Sequence, residues 1–324
     1  MPGLKDTTEL SPGMNLRESL VLFLKTGIEE MNNLINDKRG IDDPDIIHDL
    51  RVSARRLQTL FEAIGDILPA DILRKAKLRV KDIIKTLGKA RENDVSIELI
   101  DDFSKKHKKQ VGRDTLLLLT ARLKKNTIDE RKKAISNSNV FNDVNYLYNT
   151  LLNEVTALKL KSFRTVPTLR ISKDLKANGL LVIPRVFDKM ISSTGVDDKQ
   201  PDNYNSEELH KMRIKAKPVR YSMEFFRAVY GNEFAELTKE MKRFVEILGD
   251  LHDRDVLIEQ LTDFMGEIEI YNTLNKKTKL DTRFIKKFIK YLQNERKIMF
   301  FKVNQSLSAW LEGKFRERLI LSMN

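Results

Sequence analysis

The chain of 324 residues contains no cysteine, so it forms no disulfide or thiolate metal site and has no cysteine nucleophile. The absence of cysteine is compatible with a reducing compartment, and we expect a cytoplasmic protein. Glycine and proline are scarce, at 13 and 8 residues. Because apolar residues also recur at helical rather than alternating spacing, the sequence predicts an all-α fold without strands.

Long apolar runs are missing as well. The longest, at residues 20–24 and 116–119, are far shorter than the ~20 residues that cross a bilayer, and shorter than the core of a secretory leader. We therefore expect no membrane partner. Aromatic residues make up 7% of the chain and are scarce near the basic motifs described below, which argues against a surface that stacks on nucleic acid bases.

What the sequence has in excess is positive charge. Lysine and arginine number 59 against 47 aspartate and glutamate residues, giving a net charge of +12. With 41% hydrophobic residues, the chain can also bury a substantial core. This balance favours a globular protein with an anionic partner such as nucleic acid, acidic lipid or a phosphate polymer.

The chain also repeats itself. His48, Arg51 and Arg55 return as His210, Arg213 and Lys217, 162 residues later. A second segment, residues 87–95, which begins Leu-Gly and contains an aspartate seven residues later, recurs as residues 248–256. Two ordered segments that recur at nearly the same offset indicate a duplicated unit of roughly 150 residues.

Each unit is predicted to hold about four helices, the number that forms a bundle. The first repeat spans residues 14–165, a linker around Pro167 spans 166–177, and the second repeat spans 178–322. In each repeat, a helix carrying the His and Arg motif (residues 46–64 and 207–229) precedes a helix that is expected to end at the Leu-Gly pair. Two long helices follow. Ser206 is a candidate N-cap for the second motif helix.

On the first motif helix, His48, Arg51 and Arg55 fall within a sector of roughly 60°. Apolar residues occupy the opposite side: Leu50, Leu57, Phe61 and Ile64. Any amphipathic helix has a charged, solvated face, and a single histidine is often a capping residue. Here, however, histidine and arginine recur at the same spacing in both copies. This recurrence favours a surface that binds anions.

The second motif helix follows the same pattern. Its polar stripe consists of His210, Arg213, Lys217 and Arg220, with Tyr221 beside it, and its apolar side consists of Met212, Val219, Met223 and Phe226. Lys81 and Lys242 lie six residues before the Leu-Gly pair of each copy. They either extend the cationic stripes or are ordinary surface lysines.

Acidic residues after the Leu-Gly pairs have a supporting role. Asp94 and Asp255 could each hold an arginine in place or cap the next helix. A looser third repeat supplies two candidate arginines, since residues 130–133 resemble residues 295–298. The residues predicted to support the site are Asp94, Asp255, Arg91, Arg254, Arg131 and Arg296.

Taken together, these residues resemble the CHAD domain family, the conserved histidine α-helical domain. Both His-x-x-Arg helices and both Leu-Gly segments stand in the order typical of that family, over nearly the whole chain. The resemblance implies two four-helix bundles related by pseudo-twofold symmetry, with a basic groove between them. It also implies non-catalytic binding of inorganic polyphosphate, in the cytoplasm and in association with polyphosphate granules.

The predicted ligand is therefore inorganic polyphosphate or another polyanion, and we expect no cofactor, no metal and no enzymatic activity. The residues predicted to bind it are His48, Arg51, Arg55, Arg56, Lys81, His210, Arg213, Lys217, Arg220, Tyr221 and Lys242. Gln58, Pro218 and Asn93 replace basic residues that are usual in the family. Because Gln58 weakens the first stripe, the second motif helix is predicted to contribute more affinity.

Two other functions remain open. His210, His252, Asp253 and Asp255 could imitate the ligands of an all-helical, metal-dependent phosphohydrolase, although a cluster rich in arginine disfavours a divalent cation. A nucleic acid or an acidic protein is the other alternative partner. Residues 267–271 lack the lysine of the Glu-x-Glu-x-Lys strand that marks a triphosphate-processing domain in some related proteins.

Overall fold

The computed structural model describes residues 13–40, 43–107, 111–136, 139–164, 174–194 and 206–324. Most residues in these ranges are helical, and the ranges contain no strand apart from one isolated bridge between Asn15 and Asp174. The predicted all-α class is confirmed. No helix in the described part of the chain is both long enough and apolar enough to cross a membrane.

Seven α-helices form the first half of the chain. They are α1 (Leu16–Ile35), α2 (Pro44–Ala63), α3 (Ala70–Thr86), α4 (Gly88–Lys106), α5 (Arg113–Ser136), α6 (Asn139–Tyr146) and α7 (Leu152–Ala157). A π-helical turn at Leu147–Leu151 joins α6 to α7. The second half contains α8 (Leu175–Thr194), α9 (Ser206–Phe226), α10 (Asn232–Leu274), α11 (Arg283–Glu312) and α12 (Phe315–Leu321).

Local sequence explains where the first two helices begin. The side chain of Asn15 accepts from the backbone of Glu18, whose carboxylate accepts in turn from Asn15, so the two residues form a capping box before α1. Asp43 caps α2 by accepting from the backbone of Asp45, with Pro44 at the first helical position. The first motif helix therefore begins two residues earlier than predicted.

The prediction that a helix ends at each Leu-Gly pair holds only in the first half. There, Leu87 separates α3 from α4. In the second half, Gly249 lies inside α10, which is 43 residues long and does not end at the Leu-Gly pair. The prediction is therefore wrong for the second copy. Leu248 and Leu251 are both buried and continue the apolar side of α10, which outweighs the cost of about 1 kcal/mol for a helical glycine.

Several other predicted boundaries also shift. Residues 166–173 of the predicted linker lie outside the described part of the chain, and α8 already begins at Leu175, which is fully buried. Pro184 lies within α8 and Pro218 within α9. α9 begins at Ser206, but the side chain of this candidate N-cap lies outside the described part.

Buried apolar residues form two clusters, and both draw on the two halves of the chain. The larger cluster contains the predicted apolar sides of both motif helices, including Leu57 of α2 and Val219 of α9. The smaller cluster joins α4 and α5 to the far end of α10 and the start of α11, around Phe103 and Phe288. α2 and α9 pack against each other, which brings both motif helices to one place.

Candidate anion-binding site

A cavity of about 1310 Å³ lies between the polar sides of α2 and α9, with further walls from α3, α4, α8 and α10. Every residue predicted to bind the anion lines it: His48, Arg51, Arg55, Arg56, Lys81, His210, Arg213, Lys217, Arg220, Tyr221 and Lys242. Of the predicted supporting residues, Arg91 lines the cavity too. We call this space the central cavity.

Cations dominate the lining of the central cavity. Lysine and arginine residues outnumber aspartate and glutamate residues by two to one. Five of these cations were not predicted from the sequence: Arg185 and Lys189 of α8, Lys215 of α9, Arg227 and Lys239. These residues have no counterpart in the repeated segments, so only the overall positive charge pointed to them.

The two motif arginines lie beside the two Leu-Gly pairs. Arg51 Nη1 donates to the carbonyl of Ile84 at 2.6 Å and lies 3.4 Å from where a Cβ atom would stand at Gly88. Arg213 Nε lies 4.0 Å from the equivalent position at Gly249. Each guanidinium therefore lies against the backbone of a helix at a glycine, more closely at Gly88 than at Gly249.

Both arginines are largely removed from water. Burial lowers the pKa of Arg51 to about 10, and the nearby guanidinium of Arg55 acts in the same direction. Burial also lowers the pKa of Arg213, while Asp253 opposes that shift. Arg213 Nε is buried and has no hydrogen-bond partner within the described part of the chain.

Lys217 lies among these arginines. Burial, together with the charges of Arg213, Arg55 and Arg51 and against the attraction of Asp253, lowers its pKa to about 6. A large part of the Lys217 population is therefore neutral at pH 7 in the free protein. A bound anion would stabilise the protonated amine and restore its charge.

The histidines of the central cavity are also held in their neutral form. His210 Nδ1 lies 3.3 Å from His252 Nδ1, so one ring donates and the other accepts. Burial, followed by the charge of Arg213, lowers the pKa of both rings, that of His252 to about 4. Burial and Arg91 lower the pKa of His48. Without an anion, the histidines therefore contribute little positive charge.

Other cations in the central cavity already have partners. Arg220 Nε donates to Glu224 at 2.8 Å, and this carboxylate raises the Arg220 pKa in spite of burial, which lowers it. The Arg220 guanidinium also lies 5.4 Å from the ring centre of Tyr221. Lys242 lies 4.0 Å from Glu246. Arg220 is thus less free to bind a ligand than Arg213.

Four of the six predicted supporting residues form two equivalent pairs outside the cavity. Asp94 of α4 accepts two hydrogen bonds from Arg131 of α5, at 2.8 and 3.0 Å. Asp255 of α10 accepts from Arg296 of α11. Burial raises the pKa of Asp94 even though Arg131 lowers it, so the pair does not fully offset its loss of hydration. Each acid therefore ties together two successive helices.

The remaining supporting arginines contact glutamates. Arg254 donates to Glu295 of α11 at 3.2 Å, and Arg91 lies 3.5 Å from Glu98. Of the residues considered as metal ligands, His210, His252 and Asp253 line the central cavity, whereas Asp255 is engaged by Arg296. Among the described residues, no group of three His, Cys, Asp or Glu side chains is placed to hold a metal ion.

Comparison with known proteins finds chains of similar fold. The chain is similar in structure to the CHAD domain from the plant Ricinus communis, with a TM-score of 0.63 and 17% identity over 93% of this chain and 94% of that one. It is also similar to PptA from Streptomyces chartreusis, with a TM-score of 0.59 and 13% identity over 91% of this chain and 100% of that one. No curated protein matches the sequence. The CHAD domain sequence model matches residues 33–262, and the chain therefore belongs to the CHAD domain family.

Proposed function

We propose that the central cavity binds inorganic polyphosphate and that the protein acts as a binding module rather than an enzyme. The observation that carries this proposal is the convergence of the cations of α2 and α9 on one cavity. Arg51 and Arg213 present planar guanidinium groups that bind phosphate oxygens in pairs. Lys217 would gain a full charge only when such an anion is bound.

The lining favours a phosphate polymer over nucleic acid. Among the described lining residues, Tyr221 is the one Phe, Tyr or Trp side chain, and Arg220 lies over its ring. Single-stranded nucleic acids are usually bound with aromatic rings that stack on successive bases. A flexible chain of phosphates requires only repeated cations, which is what this cavity offers.

We further propose that the two halves derive from one duplicated helical unit and form two bundles related by a pseudo-twofold axis. Two structural repeats support this inference. The Arg51–Gly88 contact recurs as Arg213–Gly249, and the Asp94–Arg131 pair recurs as Asp255–Arg296. On this view, polyphosphate would lie between the halves and contact both motif helices.

A titration with long-chain polyphosphate tests the proposed function. The double variants Arg51→Ala/Arg55→Ala and Arg213→Ala/Arg220→Ala are expected to weaken binding by at least about tenfold, since a hydrogen bond to a charged group contributes about 1.5–3 kcal/mol. The second pair is expected to have the larger effect. Lys25→Ala/Lys75→Ala removes the same charge from exposed positions outside the cavity and should bind like wild type.

Two further results would distinguish polyphosphate from other anions. Affinity should fall steeply with salt, because a polyanion releases counterions when it binds cations. Polyphosphate should displace duplex DNA from the protein, and DNA should not displace polyphosphate. If both double variants stay folded by circular dichroism and bind polyphosphate like wild type, the proposed site is wrong.

A further inference from the structure

A second, smaller pocket lies on the outer side of α3. It has a volume of about 340 Å³ and is open to solvent. Its lining consists of Ala70, Leu73, Arg74, Lys77, Leu78, Lys81 and Arg164. Every charged residue among these is a cation. We call this space the α3 pocket.

The cations of the α3 pocket form a row. Arg74, Lys77 and Lys81 are three and four residues apart, so they share one face of α3 and span about 10 Å along its axis. Arg164 enters from the segment after α7, where its backbone N–H donates to the carbonyl of Ile67 at 2.7 Å. The pocket therefore gathers cations from two separate parts of the chain.

These cations differ from the other arginine of α3. Arg79 donates to Asp143 of α6 at 2.8 Å and lies 5.0 Å from the ring centre of Tyr146, so it serves to pack α3 against α6. By contrast, Arg74, Lys77 and Lys81 form no ion pair with any described carboxylate. Positive charge left uncompensated on one face is available to an anion.

The two spaces meet at one residue, because Lys81 lines both the central cavity and the α3 pocket. Resting on the proposed function, we propose that a polyphosphate chain too long for the central cavity leaves it past Lys81 and continues across the α3 pocket. Arg74, Lys77 and Arg164 then bind the outer phosphates of the chain. The α3 pocket is thus a second subsite that discriminates by chain length.

The test compares two ligands, tripolyphosphate, which is short enough for the central cavity, and long-chain polyphosphate of uniform length. Arg74→Ala/Lys77→Ala should weaken binding of the long chain at least about fivefold and leave tripolyphosphate binding unchanged. The slope of log affinity against log salt for the long chain should become shallower by about 1.4–1.8 in this variant, because two phosphate contacts are lost. Lys25→Ala/Lys75→Ala, with the same loss of charge, should alter neither ligand's affinity.

Each other outcome overturns the inference. An unchanged long-chain affinity in Arg74→Ala/Lys77→Ala would mean that the chain does not reach the α3 pocket. An equal loss for tripolyphosphate would mean that the substitutions disturb the central cavity, and an equal loss in the control variant would mean that only net charge matters. Failure of the proposed function is distinguishable, because the wild-type protein would then bind neither ligand.

Discussion

Arg51 reaches across to α4 and rests against Gly88, with its Nη1 atom 3.4 Å from where a Cβ atom would stand. The same relationship joins Arg213 to Gly249, on a helix that does not break there. The repeated Leu-Gly pair therefore lies beside a motif arginine in both halves, although a helix ends there only in the first half.

Two substitutions at Gly249 separate helix propensity from the fit of Arg213. Gly249→Ala should raise the free energy of unfolding by about 0.5–1 kcal/mol, because alanine favours the helix interior and its Cβ has room. Gly249→Leu should instead displace Arg213 and weaken polyphosphate binding. Urea denaturation and a polyphosphate titration measure the two effects. Weaker binding by Gly249→Ala would show that the fit is tighter than the structure indicates.

The pair of Asp94 and Arg131 should be important for stability, because its side chains are only 7% and 9% exposed. Asp94→Ala leaves Arg131 buried without its carboxylate and should lower the free energy of unfolding by about 3–5 kcal/mol. Asp255→Ala is the matched control: its pair with Arg296 is 22% and 26% exposed, so the loss should be clearly smaller. Denaturant unfolding of both variants checks this, and equal losses would contradict it.

Polyphosphate binding should be coupled to proton uptake through Lys217. Its pKa is about 6 in the free protein, mainly because of burial. A bound polyanion raises that pKa, so binding takes up a proton above about pH 6, and affinity rises as pH falls towards that value. Calorimetry in buffers of different ionisation enthalpy measures the proton uptake.

Lys217→Met should reduce this uptake, whereas Lys215→Met, at a neighbouring lysine that also lines the central cavity, should not. The lowered pKa of Lys217 also determines how the stability of the folded protein changes with pH. Between pH 6 and 10.5 the unfolded chain holds the proton on Lys217 and the folded chain loses it, so this residue's contribution to the free energy of unfolding increases with pH. Equal proton uptake by both variants would exclude Lys217 as the source.

The arginines of α9 should contribute unequally. Arg213 Nε has no described hydrogen-bond partner, whereas Arg220 already donates to Glu224. Arg213→Ala should therefore weaken polyphosphate binding more than Arg220→Ala, by about threefold or more, because part of the Arg220 charge is already neutralised. Single-variant titrations at constant salt measure the difference. A larger effect of Arg220→Ala would show that the ligand displaces Glu224.

The sequence predicted the parts of the site that helical periodicity controls. A turn of 100° per residue places Leu57 and Val219 opposite the cationic stripes, and both are fully buried. Repetition then identified residues far apart in sequence, such as Lys81 and Lys242, which line the same cavity. These predictions needed only local geometry and the presence of two copies.

Other features depend on tertiary packing and left no local signal. Arg185 and Lys189 reach the central cavity only because α8 packs beside α9. The contact between His210 and His252 joins residues 42 positions apart, and His252 stands where the first copy has Arg91, so the repeat did not predict it. The continuity of α10 through Gly249 likewise depends on buried leucines on either side, which outweigh the glycine.

The most direct test is a crystal structure of the protein with polyphosphate bound. The account predicts phosphate density within the central cavity, with phosphate oxygens at hydrogen-bond distance from both Arg51 of α2 and Arg213 of α9. Density confined to the outer surface, with both arginines in their present positions and no phosphate between α2 and α9, would contradict it.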